Sequence, residues 1–302
     1  MFRSLKEINE AAIQRQAVKI AVAAAADLDV LTAVNEAKMA GIADAILVGD
    51  VAETKALCQQ HGIDTALFEF ENEPDPRLAA RRAAALVKQG RAQVMMKGLV
   101  GTADFMRAVL DKAEGLGTGR LLSHVVAFEP GGYERLMLLT DAAINIAPDL
   151  AQKVQIVENA LQVSRALGNR EAKVAMLAAV ETVTASMKAT EDAAMIAKMS
   201  ERGQIKGCRI DGPLALDNAV SLAAAHHKGI GGDVAGQADL LVVPNIEAGN
   251  VLYKALVYFA NAPLAGIVVG AAAPVVLTSR ADSPATKLNS IALAVVVSGA
   301  LR

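Results

Sequence analysis

The stretch "AQVMMKGLVGTADFMRAVL", residues 92–110, decides the fold. Ala92 to Gly98 is a short apolar run closed by Lys97 and Gly98, which reads as a buried strand. A glycine-containing loop follows, then a stretch of helical periodicity with Thr102 as its N-cap and Arg107 further in. Strand, loop and helix make the repeating unit of an α/β protein.

The same unit recurs along the chain. Apolar runs at 19–27, 45–49, 92–98, 121–129, 135–141, 173–180, 207–211, 239–244, 265–270 and 274–279 read as strands. Helical stretches fill most gaps, among them those opening at Pro76 and Asp149. This alternation predicts mostly parallel sheet flanked by helices. One interval departs from it: "LLSHVVAFEPGGYERLMLLTD", 121–141, joins two strands through Pro130-Gly131-Gly132, a hairpin signal. A domain boundary is expected there, and 302 residues suit about two domains.

Composition narrows the function. The chain is 53% hydrophobic with 3% aromatics and no Trp, which fits a helix-rich α/β core rather than a β-sandwich. A formal net charge of −2 argues against a broad nucleic-acid-binding face but leaves room for local anion sites. The two cysteines, Cys58 and Cys208, have no partner spacing for zinc and point to a reduced, cytoplasmic protein. The charged N-terminal stretch lacks a signal-peptide core, and the apolar run 291–301 is too short to span a bilayer, so it reads as a buried helix.

In open α/β sheets ligands bind beyond the carboxyl ends of strands, where helix N-termini point free N–H groups outward. Four such junctions stand out. Lys97, Gly101, Thr102 and Arg107 supply donors and cations for an anion, although the same residues suit an ordinary capped helix. The spacing fits neither the Walker loop nor the dinucleotide fingerprint. "RIDGPLALDNAV", 209–220, is expected to end a strand and open a helix at Asp211-Gly212-Pro213. Its Asp211 and Asp217 read as a cap and a surface residue rather than a metal pair, since a third ligand is lacking. In "VPNIEAGNVLYKAL", 243–256, Gly249 permits a close backbone approach, and Asn250 serves a ligand or the helix. In "VVLTSRADSPATKLNS", 275–290, Ser279 and Arg280 stand at a strand end, just before a helix opened by Ser283-Pro284. The loop "KGIGGD", 228–233, follows a helix and is not expected to hold phosphate.

Taken in order, "MKGLVGTADFMRAVL", "TDAAINIAPD", "IDGPLALDNAV", "VPNIEAGNVLYK" and "PVVLTSRADS" resemble the phosphate acetyl/butyryltransferase family, and its butyryl branch more than its acetyl branch. The resemblance implies two three-layer α/β domains of the isocitrate/isopropylmalate dehydrogenase type, with the active site in an interdomain cleft. Residues 1–128 and 275–302 would form the first domain, and 129–274 the inserted second. It implies the reaction acyl-CoA + phosphate ⇌ CoA + acyl phosphate by direct displacement, with coenzyme A as substrate and no permanently bound cofactor or metal. It also implies a homodimer or higher homo-oligomer acting on small molecules, with neither nucleic acid nor membrane as partner.

The family's serine-arginine pair falls on Ser279 and Arg280, and its "TADxxR" arginine on Arg107. The two arginines are expected to hold phosphoryl oxygens with backbone N–H groups near Gly101 and Thr102. Where acetyl-type enzymes carry a general-base aspartate this chain has Thr286, and Asp282 is the nearest acid. An arginine that follows the "GNxxYK" block in acetyl enzymes is also missing here; Tyr258 lies near its place. Three other activities stay open at this level: phosphate acetyltransferase, a metal-dependent decarboxylating dehydrogenase of similar fold, and a non-catalytic CoA- or acyl-phosphate-binding protein.

Overall fold

The computed structural model describes residues 2–15, 18–279 and 282–300. Its first strands are β1 (Lys19–Ala23), β2 (Asp44–Gly49), β3 (Glu69–Asn72) and β4 (Val94–Lys97). Next come β5 (Ser123–Phe128), β6 (Met137–Thr140), β7 (Ala172–Leu177) and β8 (Cys208–Leu214). The last are β9 (Leu240–Val242), β10 (Leu264–Val269) and β11 (Val275–Val276). The helices are α1 (Leu5–Ile13), α2 (Leu28–Met39), α3 (Val51–Gln60), α4 (Pro76–Lys88) and α5 (Thr102–Val109). They continue with α6 (Leu150–Ala166), α7 (Lys188–Glu201), α8 (Leu216–Val220), α9 (Leu222–His227), α10 (Ile246–Tyr258) and α11 (Pro284–Ser298).

The chain divides into two compact units. One comprises Leu5–Arg120 and the segment from Leu264 onward; the other is Leu121–Pro263 with the first residues of the chain. In the first unit the strand order is β3-β2-β1-β4-β11-β10, parallel except for the β10–β11 pair. In the second it is β5-β6-β9-β7-β8, parallel except for β5–β6. The hairpin 121–141 was expected to carry the chain across at 128/129. Both of its strands instead lie in the second unit, because β5 and β6 share an antiparallel ladder from Val125↔Thr140 to Phe128↔Met137. The return falls at Pro263 rather than 274, since β10 pairs with β11 and β11 with β4.

The central strands are apolar throughout because helices cover both faces of a parallel sheet. Ile20 to Ala23, Val94 to Met96 and Val275-Val276 are all buried. β3 is the strand that the hydrophobic pattern does not reveal. "EFEN" lies at the sheet edge, and its Glu69 and Glu71 take Lys19, Arg82 and Arg91 as partners. Helix starts follow the capping rule: Asp27, Asp50, Asp75, Asp149, Asn245 and Ser283 each accept a backbone N–H at the N-cap of α2, α3, α4, α6, α10 and α11. The expected terminal helix is α11, with Ile291 to Ser298 entirely buried. No helix among the described residues is long and apolar enough to cross a membrane.

Candidate active site

In the first unit β4 and β11 run side by side, with Val275 opposite Met95 and Val276 opposite Met96. Lys97 and the run Leu277-Thr278-Ser279 therefore leave the sheet at neighbouring carboxyl ends. Lys97 is buried, its Nζ 3.4 Å from the Gly98 carbonyl. Gly98 is needed for the turn itself: a Cβ there would sit 2.3 Å from the Ala24 oxygen and 2.7 Å from that of Ala23. The chain leaving β4 lies on the chain leaving β1, bonded through Gly98 N–H to Ala23 O (2.9 Å) and Leu99 N–H to Ala24 O (2.7 Å).

Thr102 does not cap α5. Gly101 takes the N-cap with extended backbone and no side-chain bond, and Thr102 is the first helical residue. A glycine suffices because its carbonyl already accepts the Phe105 N–H at 2.9 Å. Both residues are exposed. Arg107, further along α5, is also exposed and pairs with Asp104. It shares a cavity of about 330 Å³ with Asp75, Arg77, Leu78 and Arg81 of the α4 start.

Beyond β11, Ser279 donates its backbone N–H to the Asp282 carboxylate at 2.7 Å, and the Asp282 N–H returns to the Ser279 carbonyl at 3.1 Å. Arg280, the predicted phosphate-binding arginine, lies outside the described residues. Lys287 is buried, donates to the Asp282 carbonyl and stands 3.6 Å from the Asp29 carboxylate. It escaped the sequence reading, although its place one helical repeat before Ile291 puts it on the buried face of α11. Thr286 is occupied in the helix cap: its N–H and its hydroxyl each lie 3.2 Å from Ser283 Oγ. Its carbonyl accepts Ser290 Oγ at 2.8 Å, and that oxygen accepts the Gly266 N–H, which fastens α11 to β10.

In the second unit β9 lies beside β6. After β6 the Asp141 carboxylate gathers the N–H groups of Ala143 (2.9 Å), Ile144 (3.0 Å) and Asn145 (3.2 Å). Gly249 meets that turn: a Cβ on it would fall 2.4 Å from the Asp141 oxygen. Asn250 Nδ2 donates to the Ala142 carbonyl at 3.3 Å. Both residues thus contact the 141–142 backbone. Asp211-Gly212-Pro213 does not open a helix, because β8 continues to Leu214 and α8 starts at Leu216. Lys228 pairs with Glu181 at 2.9 Å and Asp217 at 3.2 Å. Its hydrogen bond lowers the Glu181 carboxyl and, against the upward pull of desolvation, lowers that of Asp217 as well.

Burial pushes the thiols of Cys58 and Cys208 upward, so neither is set up as a thiolate nucleophile. Among the described residues no three His, Cys, Asp or Glu side chains converge as a metal site. Another cavity of the first unit, about 800 Å³, opens at the other edge of the sheet, beside Gln93 before β4 and Pro274 before β11. The C-terminal ends of α4, α5 and α11 meet there, and Lys88 donates to the Ala113 carbonyl at 2.5 Å. Cations at helix C-termini answer the carbonyl dipoles, as Lys88 does in the last turn of α4.

Sheets of this kind, mostly parallel and alternating with helices along the chain, define an α/β protein of the class in which ligands bind beyond the carboxyl ends of the strands. The family model "phosphate acetyl/butaryl transferase" matches residues 4–79 and 74–295, and the chain belongs to that family of acyltransferases. It is 52% identical over 299 residues to the phosphate butyryltransferase of Clostridium acetobutylicum, covering 99% of each chain. The crystal structure of a branched-chain phosphotransacylase from Enterococcus faecalis V583 superposes with a TM-score of 0.83 at 33% identity, covering 93% of this chain and 99% of that one. The 4-hydroxythreonine-4-phosphate dehydrogenase of Klebsiella pneumoniae shares the fold, with a TM-score of 0.59 at 13% identity over 94% of this chain and 100% of its own.

Proposed function

We propose that the chain converts butyryl-CoA and phosphate to butyryl phosphate and CoA, reversibly, in the cytoplasm and without a resident cofactor. The observation that carries this reading is the near full-length identity of 52% to a phosphate butyryltransferase. The adjacent ends of β4 and β11 support it, because Lys97 closes the one and the serine turn follows the other.

A phosphate oxygen attacks the thioester carbonyl, the carbonyl oxygen becomes an oxyanion, and the C–S bond breaks to release CoA thiolate. Arg280, with Lys97 and the N–H groups near Gly101 and Thr102, neutralises phosphate. Arg107 binds an anionic part of the CoA substrate. Ser279 donates to the oxyanion, where one placed donor is worth about 3 kcal/mol. Asp282 holds Ser279 through its backbone N–H rather than acting as a base. No base is required at Thr286 for attack by ionised phosphate, and the thiol, with a pKa of about 8.5, leaves readily as thiolate beside cations.

The test is thiol release from acetyl-, propionyl-, butyryl- and isobutyryl-CoA with and without phosphate. Release is expected to require phosphate, to be indifferent to EDTA, and to favour four-carbon chains over acetyl by at least about tenfold in kcat/KM. Preference for acetyl-CoA would make the chain an acetyltransferase, and release independent of phosphate would end the acyl-phosphate reading.

The partner we propose is a second copy of the chain, seated on α10. This helix buries only Gly249 of its 13 residues, while Val251 is 69% exposed and Phe259, just beyond, 88%. Exposed apolar side chains in such a run mark an interaction surface. The wild-type chain is expected to sediment as a dimer or larger, and Val251→Asp with Phe259→Asp as a monomer. An unchanged mass in the double variant would remove α10 from the interface.

A further inference from the structure

Arg77, Arg81 and Arg107 line one cavity in the first unit, of about 330 Å³. Arg77 and Arg81 are four residues apart on α4 and share a face. Their neighbours are engaged elsewhere: Arg82 bonds Glu71 at 2.9 Å, and Arg91 bonds the same carboxylate at 2.7 Å. Arg81 has no ion-pair partner among the described residues. Arg77 and Arg107 pair with Asp75 and Asp104, yet their side chains remain 70% and 69% exposed. Exposed pairs of this kind hold weakly and yield readily to a stronger anion.

The position of Arg77 and Arg81 has a local cost. Both stand in the first two turns of α4, the end at which the helix dipole disfavours cations; Asp75 at the N-cap answers Arg77 alone. Departures from local preference without local gain collect at binding sites. The cavity also has an apolar wall, since Leu78 lies between the two arginines and is 46% exposed. Three guanidinium groups and an exposed leucine exceed what orthophosphate needs. They match a molecule carrying several phosphates and a flat apolar ring.

We propose that this cavity seats the phosphate-bearing nucleotide end of coenzyme A, with Arg77 and Arg81 joining Arg107 as its ligands. The assignment rests on the reading of acyl-CoA as substrate. The volume lies at the low end of small-molecule sites, about 300–1,000 Å³, so it takes one end of coenzyme A. The rest of the molecule is free to extend along the sheet edge. α4 follows the carboxyl end of β3 and α5 that of β4, the edge at which Ser279 leaves β11. The guanidinium forks bind phosphate oxygens in pairs of hydrogen bonds, which a lysine does not reproduce.

The experiment is calorimetric titration of the full chain with CoA and with pantetheine, which lacks the nucleotide. It uses the wild type, Arg77→Ala, Arg81→Ala, the double alanine variant, and Arg77→Lys with Arg81→Lys. Each single alanine is expected to weaken CoA about tenfold, the scale of one charge-assisted bond. The double variant should lose more, and the lysine pair should recover part. Pantetheine affinity should not change. CoA affinity within twofold of wild type in the double alanine variant overturns the assignment, as does an equal loss for pantetheine. Thiol release is measured separately on the wild type. Arginine-dependent CoA binding without phosphate-dependent release would refute the reaction and leave the site standing, whereas an active enzyme whose CoA affinity ignores both arginines would refute the site alone.

Discussion

Replacing Ser279 with alanine is expected to lower kcat for phosphate-dependent thiol release about a hundredfold, the cost of one oxyanion donor. The KM values for phosphate and butyryl-CoA should move by no more than about threefold, because a transition-state interaction is the one removed. The turn that carries the serine is held by its backbone: Asp282 accepts its N–H at 2.7 Å, and Lys287 secures the Asp282 carbonyl. The alanine variant therefore keeps the fold of the turn, and the loss reads on the hydroxyl. Asp282 separates positioning from base catalysis. Asp282→Asn retains an oxygen able to accept the same N–H and should keep most activity with an unchanged pH profile. A general base would lose its acidic limb in that variant. A kcat reduction below about tenfold in Ser279→Ala would reduce the serine to a turn residue.

Asp192→Ala is expected to cost about 3–5 kcal/mol of stability, read as a fall in the denaturant midpoint with unchanged slope. Asp192 of α7 is buried and lies 2.8 Å from Lys153 of α6, also buried, with Lys188 at 3.1 Å on its other oxygen. Removing the carboxylate strands the Lys153 ammonium in the interior, which is the expensive half of breaking a buried pair. Replacing both partners by apolar residues, Lys153→Met with Asp192→Leu, should recover most of the loss. Burial raises the Asp192 pKa, but the two lysines outweigh it and hold the carboxyl below its ordinary value. Its stabilisation is thus full above the unfolded carboxylate pKa of about 3.9 and fades as pH falls through the lower folded value. The gap between wild type and variant should therefore narrow below about pH 4. A constant gap from pH 7 to 3 would show that the ion pair is not its source.

Much of the architecture was legible because its causes are local. Buried strands such as "VMMK" and "SHVVAF" are apolar runs of strand length, and the Asp, Asn and Ser residues before helices are caps. β3 was not legible, since an edge strand with Glu on its exposed face has no apolar run. Asp211-Gly212-Pro213 looked like punctuation but lies inside β8, where Gly212 allows close passage by Met176; a Cβ there would meet the Met176 Cβ at 2.7 Å. Thr102 looked like a cap and proved the first helical residue, because Gly101 holds the extended backbone that the N-cap requires.

The candidate site divides in the same way. Lys97, Arg107 and Ser279 could be marked one junction at a time, since Lys97 ends β4, Arg107 lies in the helix that follows it, and Ser279 comes just after β11. Arg77, Arg81 and Lys287 sat in ordinary helical sequence and gained meaning only from what lies across from them. Sequence alone determined the succession of strands and capped helices and, through five ordered motifs, the family, because hydrophobic period, capping and motif spacing are properties of contiguous residues. Tertiary structure alone decided that β4 lies beside β11, that the hairpin 121–141 stays within one unit, and that three arginines of two helices share a cavity. Hydrogen-bonded pairing and burial between distant segments are set by the packing of the whole core, and no local pattern encodes which partners meet.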